Sequence, residues 1–469
     1  MDYPITDFGA VADYVDEVPL PCDATPDSPR ATNNRLAIQA AIDAAHVAGG
    51  GRVVIPTGRF FTGSLVLKSN VTLFLEEGAW LVASLDLADG IDFAAEFDDD
   101  TENAGWTGGC FLFARHAQNI SIEGAGTIYG QGDKVFYDDG ADGGFHECPK
   151  NVRVPAWERP RTTFFEDVET LTVRGVTFRE AAFWTLHMAG CRHVLVDGVR
   201  ILNDQRGANN DGIDPDTCSD VVITNCIVKG GDDAIVVKNT PPMAEKYGVC
   251  ENVVISNCVL YSHDSALKIG TETARGIRNV MLSDCVFRDC SRGVGIWARD
   301  GATIEDIHVH HVSGNTRHFA DCPGREFAPR WWGMGEPIFI SATPRRVPTA
   351  KEPGHIRNVT FDHVFMECEG GVFIAGEGDV SAGDEPLIEG VEVSDLHLTQ
   401  RVVGTQPPNV FDEQPSVRDV YEHEVPAVYV RAAADVHIRG RVRREGVFAE
   451  GALSQVEASA EVTVELAER

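Results

Sequence analysis

Eight segments of this chain superpose without gaps on a single apolar pattern, and nothing else in the sequence limits its fold so strongly. They are VETLTVRGVTF (Val168–Phe178), CRHVLVDGVRI (Cys191–Ile201), CSDVVITNCIV (Cys218–Val228), CENVVISNCVL (Cys250–Leu260), IRNVMLSDCVF (Ile277–Phe287), IEDIHVHHV (Ile304–Val312), IRNVTFDHVFM (Ile356–Met366) and IEGVEVSDLHL (Ile388–Leu398). In each, apolar and polar residues alternate, and a second alternating run follows. Successive segments begin 23 to 32 residues apart, except for one interval of 52 between Ile304 and Ile356. Strand periodicity inside a long-period repeat predicts an all-β chain, a parallel β-solenoid whose coils stack roughly 4.8 Å apart. Each coil of a solenoid contacts only its neighbours, so residues 1–469 can form one domain.

The stretch before the coils reads as a cap. Leu36, Ile38, Ala41, Ile42 and Ala45 give a short amphipathic helix that ends at three glycines, and a solenoid needs its terminal coil covered. Residues 1–51 are therefore expected to cap coils that run over 52–424, with further coils in 425–469. Residues near 86–109, 131–159 and 316–355 break the repeat and are expected as loops thrown out from the solenoid, where substrate walls are built.

Charge narrows the possible partners. With 72 acidic residues against 40 basic ones, net charge is −32, and only 8 of the 40 are Lys. Such a surface repels nucleic acid and suits solubility in high salt, although a GC-rich genome also favours Arg over Lys. No stretch is apolar and uncharged over 18 residues, so no membrane partner is expected. Met1–Gly9 is not a signal peptide, which points to a cytoplasmic chain, although a mature form with its leader removed would look the same. Of the twelve cysteines, Cys226, Cys258 and Cys285 share one repeat column and Cys191, Cys218 and Cys250 another, the places of stacked small apolar residues.

Chemistry concentrates in Asn203–Asn239, where Asp211 precedes the pair Asp232 and Asp233 by one repeat. Aligning the second strands puts DGID, DAIV, SALK and the GVG run in one register. Gly212, Ala234, Ala266 and Gly293 then form a floor of small residues over which a sugar can lie. Lys268 falls in the outward column of Gly295, and Trp297 in that of Lys238. Three carboxylates brought together cannot all ionise cheaply, so one should keep its proton while the others stay charged, the division of labour of glycoside hydrolysis. Two other readings stand beside this one: Asn and Asp at solenoid bends bond their own backbone, and acidic clusters bind calcium.

From Arg159 to Asn239 the chain resembles the polygalacturonases, glycoside hydrolase family 28, and more weakly it does so from ITDFGAVAD onward. Asn209-Asn210-Asp211 is similar to the family's Asn-Thr-Asp motif, and Gly231-Asp232-Asp233 matches its Gly-Asp-Asp. The resemblance implies a right-handed parallel β-helix of the pectate-lyase-like kind and hydrolysis with inversion. It implies Asp232 as general acid, with Asp211 and Asp233 positioning water and Asn209 and Asn210 at the substrate. It also places His187 before the catalytic coil, as a ligand contact or a structural residue.

Two family motifs are altered. Where Gly-His-Gly is expected, Ser265 aligns with the His, leaving His263, Asp264 or Ser265 to take its role; His263 reaches the site through a bulge or is a surface residue. Where Arg-Ile-Lys is expected, Gly295 and Trp297 replace the cations. Lys268 or Arg299 can restore a charge for an acidic sugar; otherwise Trp297 offers a stacking face to a neutral or deoxy sugar. Trp331, Trp332 and Glu336 form a neighbouring wall, or pack the long insertion against the solenoid. The expected activity is hydrolysis of a pectin-type polysaccharide or oligosaccharide at chain ends, with no cofactor or metal. The alternatives are a β-helix lyase using Lys238 or Lys268 as base, and a non-catalytic glycan-binding solenoid.

Overall fold

The computed structural model describes residues 1–15, 31–85, 109–137, 151–152, 159–319, 333–344, 352–404 and 425–469. They divide into two compact units, Met1–Asp139 with Lys150–Gly231, and Gly140–Pro149 with Asp232–Arg469.

The first unit opens on the strand Asp2–Pro4 and the helix Arg35–Val47. Ile38, Ala41, Ile42 and Ala45 recur at helical spacing and are buried together, which is why this segment is helical. Leu36 does not join them: it lies two residues off the stripe and is 85% exposed, which corrects its expected place on the apolar face. Buried Asn34 ties the start of the helix to its surroundings. Its side chain accepts from Val11 N at 2.7 Å and donates to the carbonyls of Val11, Thr32 and Phe61, each at 3.0 Å.

Parallel strands then stack in three ladders. One runs through Gly51–Ile55, Val71–Leu75, Cys110–Gly124, Arg161–Arg174, Arg192–Asp197 and Ser219–Thr224. A second runs from Gly58–Thr62 through Ala79–Ala83, Thr127–Tyr129, Thr177–Arg179 and Arg200–Leu202 to Ile227–Gly230. The third joins the first halves of Cys110–Gly124 and Arg161–Arg174 to Leu186–Ala189 and Ile213–Asp216. Inside them lies an apolar core of Ile, Val, Leu and Phe side chains.

The second unit repeats the pattern. Ile235–Asn239, Ser265–Thr273, Arg292–Trp297, Glu336–Ala342, Val372–Gly376, Val428–Arg431 and Ser454–Glu457 form one parallel ladder. Cys250–Ser256, Ile277–Cys290, Ile304–Thr316, Ile356–Cys368, Ile388–Gln400, Ala434–Arg444 and Ala460–Glu468 form another. Ile304 pairs directly with Ile356, so the 52-residue interval closes one coil. One expectation needs correction here: Glu336–Ala342 lies within the stretch expected as a loop, yet it is a full coil strand paired on both sides. Residues 86–108 of the first expected loop, and most of the second, lie outside the described residues.

Bends recur at fixed columns. Asn252, Asn279, Asp306 and Asn358 all have positive φ, as do Asn257, Asp284, His311, His363 and Asp395 in a second column. Short polar side chains tolerate that left-handed conformation, and stacked amides brace it: Asn279 Nδ2 donates to Asn252 Oδ1 at 2.7 Å. The nine cysteines among the described residues are buried and not in disulfides.

Candidate active site

In the first unit the sequence NNDGIDPD folds into a turn and the strand Ile213–Asp216. Asn209 adopts a positive φ of 56° and its Oδ1 accepts from Arg159 Nη2 at 2.9 Å. Asn210 is buried: its Nδ2 donates to Asp204 O at 2.9 Å and its Oδ1 accepts from Gly231 N at 2.7 Å. Both ends of that amide hold the turn, which corrects the expectation of Asn210 at the substrate. Asp211 is 2% exposed, and its carbonyl accepts from Thr185 N at 3.0 Å.

His187 is fully buried in this unit, with its ring 5.0 Å from Phe164, edge-on to Trp184 at 4.9 Å, and Nε2 3.5 Å from Asp216 Oδ2. Arg161 was not singled out by the sequence, although it sits in the RPR run; it is buried against Trp184 at 4.8 Å and Phe183 at 5.1 Å. Burial pulls its guanidinium down to about 10, against the pull of Cys110, Asp214, Asp216 and Asp211.

In the second unit the Gly-Asp-Asp turn leads into Ile235–Asn239. Asp232 is half-buried; its Oδ1 accepts from Asp233 N at 3.0 Å and its carbonyl from Ser262 Oγ at 2.6 Å. Burial, and then the neighbouring Asp233 charge, push the Asp232 carboxyl above the ordinary aspartate range, against the pull of Lys268 and Lys238. Asp233 is fully buried, yet it is answered on both oxygens: Oδ1 accepts from Ser265 N at 3.3 Å, and Oδ2 lies 2.9 Å from Lys268 Nζ. Adjacent carboxylates thus meet different surroundings, one ion-paired and one half-open.

Asp264 and Ser265 stand a coil later. Asp264 is 1% exposed; its Oδ1 accepts from Ser265 Oγ at 3.1 Å and pairs with Arg292 Nη1 at 2.9 Å. Burial, and secondly the Asp233 charge, raise Asp264 to about 7 even with Arg292 beside it. Arg292 also approaches Glu336, Nε to Oε2 3.8 Å, and burial raises Glu336 as well. Glu336 is therefore an internal partner of Arg292, buried among its own chain, which corrects its expected place in a substrate wall. Arg292 itself was missed, because its partners lie 28 and 44 residues away in sequence.

His263 is 7% exposed, and its ring lies on Phe319 with centroids 3.9 Å apart, so the surface alternative does not hold. Arg299 is fully buried, donating to Thr343 Oγ1 at 2.9 Å and Ser341 Oγ at 3.3 Å. Lys238 pairs with Glu272 at 3.7 Å.

Trp297 departs furthest from expectation. Lys268 does pair with Gly295 in register, but the Trp297 ring folds back over that glycine, where a Cβ would come within 2.2 Å of its carbons. The indole is 0% exposed and packs on Phe339 at 5.2 Å, followed by Phe373 and Tyr429 at 4.8 and 5.4 Å. It therefore has no open face for a sugar. Ala234 and Ala266 are likewise 0% exposed, so the expected floor of small residues is covered. Trp331 and Trp332 lie outside the described residues.

Residues 68–316 match the model of glycosyl hydrolases family 28, more than half of the 469-residue chain. A probable polygalacturonase of Vitis vinifera is 28% identical over 283 residues, 58% of this chain and 55% of that protein. An exopolygalacturonase of Zea mays is 24% identical over 294 residues, 60% of this chain and 63% of that protein. The chain thus spans little more than half the length of these curated relatives. Among solved structures, a family 28 exopolygalacturonase of Yersinia enterocolitica superposes with a TM-score of 0.70 at 19% identity, covering 99% of this chain and 78% of that one. A hyperthermoactive exopolygalacturonase of Thermotoga maritima gives 0.59 at 18% identity, covering 99% of this chain and 91% of that one. At such identities the likeness concerns the fold, a right-handed parallel β-helix. By its family match, its intact Gly-Asp-Asp turn and its fold, the chain belongs to glycosyl hydrolases family 28.

Proposed function

We propose that this chain is an inverting glycoside hydrolase acting on a pectin-type polysaccharide or oligosaccharide, galacturonan or rhamnogalacturonan related. The observation that carries the reading is the asymmetry of the Gly-Asp-Asp pair. Asp232 is half-buried and pushed toward keeping its proton, while buried Asp233 is ion-paired with Lys268 at 2.9 Å. A protonated, half-buried carboxyl donates to the leaving glycosidic oxygen, and a neighbouring carboxylate orients and deprotonates water. By the family motif, Asp211 shares that second task. Attack from the opposite face in a single displacement inverts the anomeric carbon. The pectin-type substrate comes from the relatives, which are polygalacturonases by name.

Against a lyase, a Lys base would need its ammonium destabilised. Burial acts that way on Lys268, but Asp233, Asp264 and Asp232 outweigh it and hold the ammonium above the usual lysine range.

The test is reducing-end release from polygalacturonate, rhamnogalacturonan and neutral oligosaccharides, with the first-formed anomer read by proton NMR. Asp232→Asn should lower kcat by about 10²- to 10⁴-fold while oligosaccharide binding persists. Retention of configuration, unsaturated product absorbing in the ultraviolet, or full turnover by Asp232→Asn would each refute the reading.

A further inference from the structure

We infer that Lys268 is a positioning residue, the built-in counter-ion of Asp233, seated by Trp297 in the space that Gly295 leaves open. The inference rests on the proposed role of Asp233 but addresses a different question, namely what the lysine's charge answers. Lys268 Nζ is 2.9 Å from Asp233 Oδ2, and the two side chains are 13% and 1% exposed. The Trp297 ring also faces the ammonium, its centroid 5.2 Å from Nζ. A cation over an indole is held electrostatically while its stem stays dry.

The ring is closely backed. It lies over Gly295, which has no side chain to displace it, and is backed by Phe339, Phe373 and Tyr429, whose hydroxyl donates to Glu457 Oε2 at 3.2 Å. Gly295, Trp297 and Lys268 therefore form one device. Any larger residue at 295 evicts the indole, and without the indole the lysine loses its seat.

The charges that face Lys268 in its unit are Asp233, Asp264, Asp232 and Lys238, with Lys238 itself paired to Glu272 and Asp264 to Arg292. Two cations, Lys268 and Arg292, thus stand among three closely spaced carboxylates. Lys268 sets a positive charge against Asp233, while burial and the Asp233 charge push Asp232 and Asp264 toward keeping a proton. A lysine committed in this way acts through Asp233 and not by gripping a sugar carboxylate.

The test compares wild type with Lys268→Met, Lys268→Arg and Trp297→Leu. With aspartate carbons labelled, the Asp233 carboxyl is titrated by carbon-13 NMR, using Asp233→Asn to assign it. Lys268→Met should raise the Asp233 midpoint by about 1 to 3 pH units, Lys268→Arg should restore it, and Trp297→Leu should shift it by less in the same direction. In kinetics, the acidic limb of kcat/KM should move upward with the midpoint, so that activity on that limb falls at least tenfold whether the substrate is charged or neutral. An unmoved Asp233 midpoint overturns the inference whether or not the chain hydrolyses anything. So does a rise in KM confined to uronate substrates with an unchanged pH profile, which would make Lys268 a substrate ligand. A shifted midpoint without hydrolysis of any substrate would sustain the inference and refute the proposed activity.

Discussion

Arg292→Met should destabilise this protein by an amount that depends on pH. Arg292 is 0% exposed, with Nη1 2.9 Å from Asp264 and Nε 3.8 Å from Glu336, so its removal strands two buried carboxyl groups. Met fills much of the same volume and leaves the charge as the main loss. Both acids already have raised pKa values in the folded state, Asp264 to about 7 against an ordinary 3.8. An acid of that kind binds its proton more tightly folded than unfolded, so its contribution favours folding at low pH and is lost as pH rises through the folded pKa. Near pH 5, Asp264 is already protonated with Arg292 present, and the substitution costs only packing and neutral hydrogen bonds, about 1 kcal/mol. Near pH 8, the wild type holds an ionised pair where the variant must bury an unanswered carboxylate, which costs about 3–5 kcal/mol. That difference corresponds to an upward shift of roughly two pH units in the carboxyl groups left behind. Urea unfolding at pH 5 and pH 8, followed by tryptophan fluorescence and circular dichroism, reads both values. Adding Asp264→Asn to Arg292→Met should recover more than half of the loss at pH 8. Equal losses at the two pH values, or a larger loss at pH 5, would refute the electrostatic account.

Two further outcomes concern the scaffold. Asn34→Ala removes four hydrogen bonds that join Val11, Thr32 and Phe61, and should lower stability by about 2 kcal/mol in urea titration, with Asn34→Asp recovering only the acceptor part. Phe339→Ala empties the middle of the stack between Trp297 and Phe373 and should cost about 3–5 kcal/mol, with Phe339→Leu costing much less; a change below 1 kcal/mol would mean that the stack repacks freely.

Most of the coil scaffold was legible in the sequence because each strand repeats the same inward apolar residues. The gapless alignment matches the observed register residue for residue within each unit: Glu169 with Arg192 and Ser219, and Cys250 with Ile277, Ile304, Ile356 and Ile388. The pairing of Lys268 with Gly295 was legible for the same reason. Glu336–Ala342 was not, since the single short alternation EPIFISA lies inside a long irregular stretch and gains its register only from neighbours on both sides. Outward columns were misread as open because period-two alternation says which residues face away from the core, not what covers them. Trp297, Ala234 and Ala266 all fall in columns that the alternation turns outward, and all are fully buried. The Arg292 link to Asp264 and Glu336 joins single residues of three coils, and no periodicity marks such a pattern.

The direct pairing of Ile304 with Ile356 across 52 residues has a wider consequence. The neighbouring coils join Ile277 to Ile304 in 27 residues, and the longer excursion leaves the register unchanged. The stack tests only whether the returning strand presents the right side chains; how far the backbone travels in between is invisible to it. The excursion also carries Glu336–Ala342, itself a rung paired on both sides, so what can change in length without renegotiating the stack is the chain around that rung and not the rung itself.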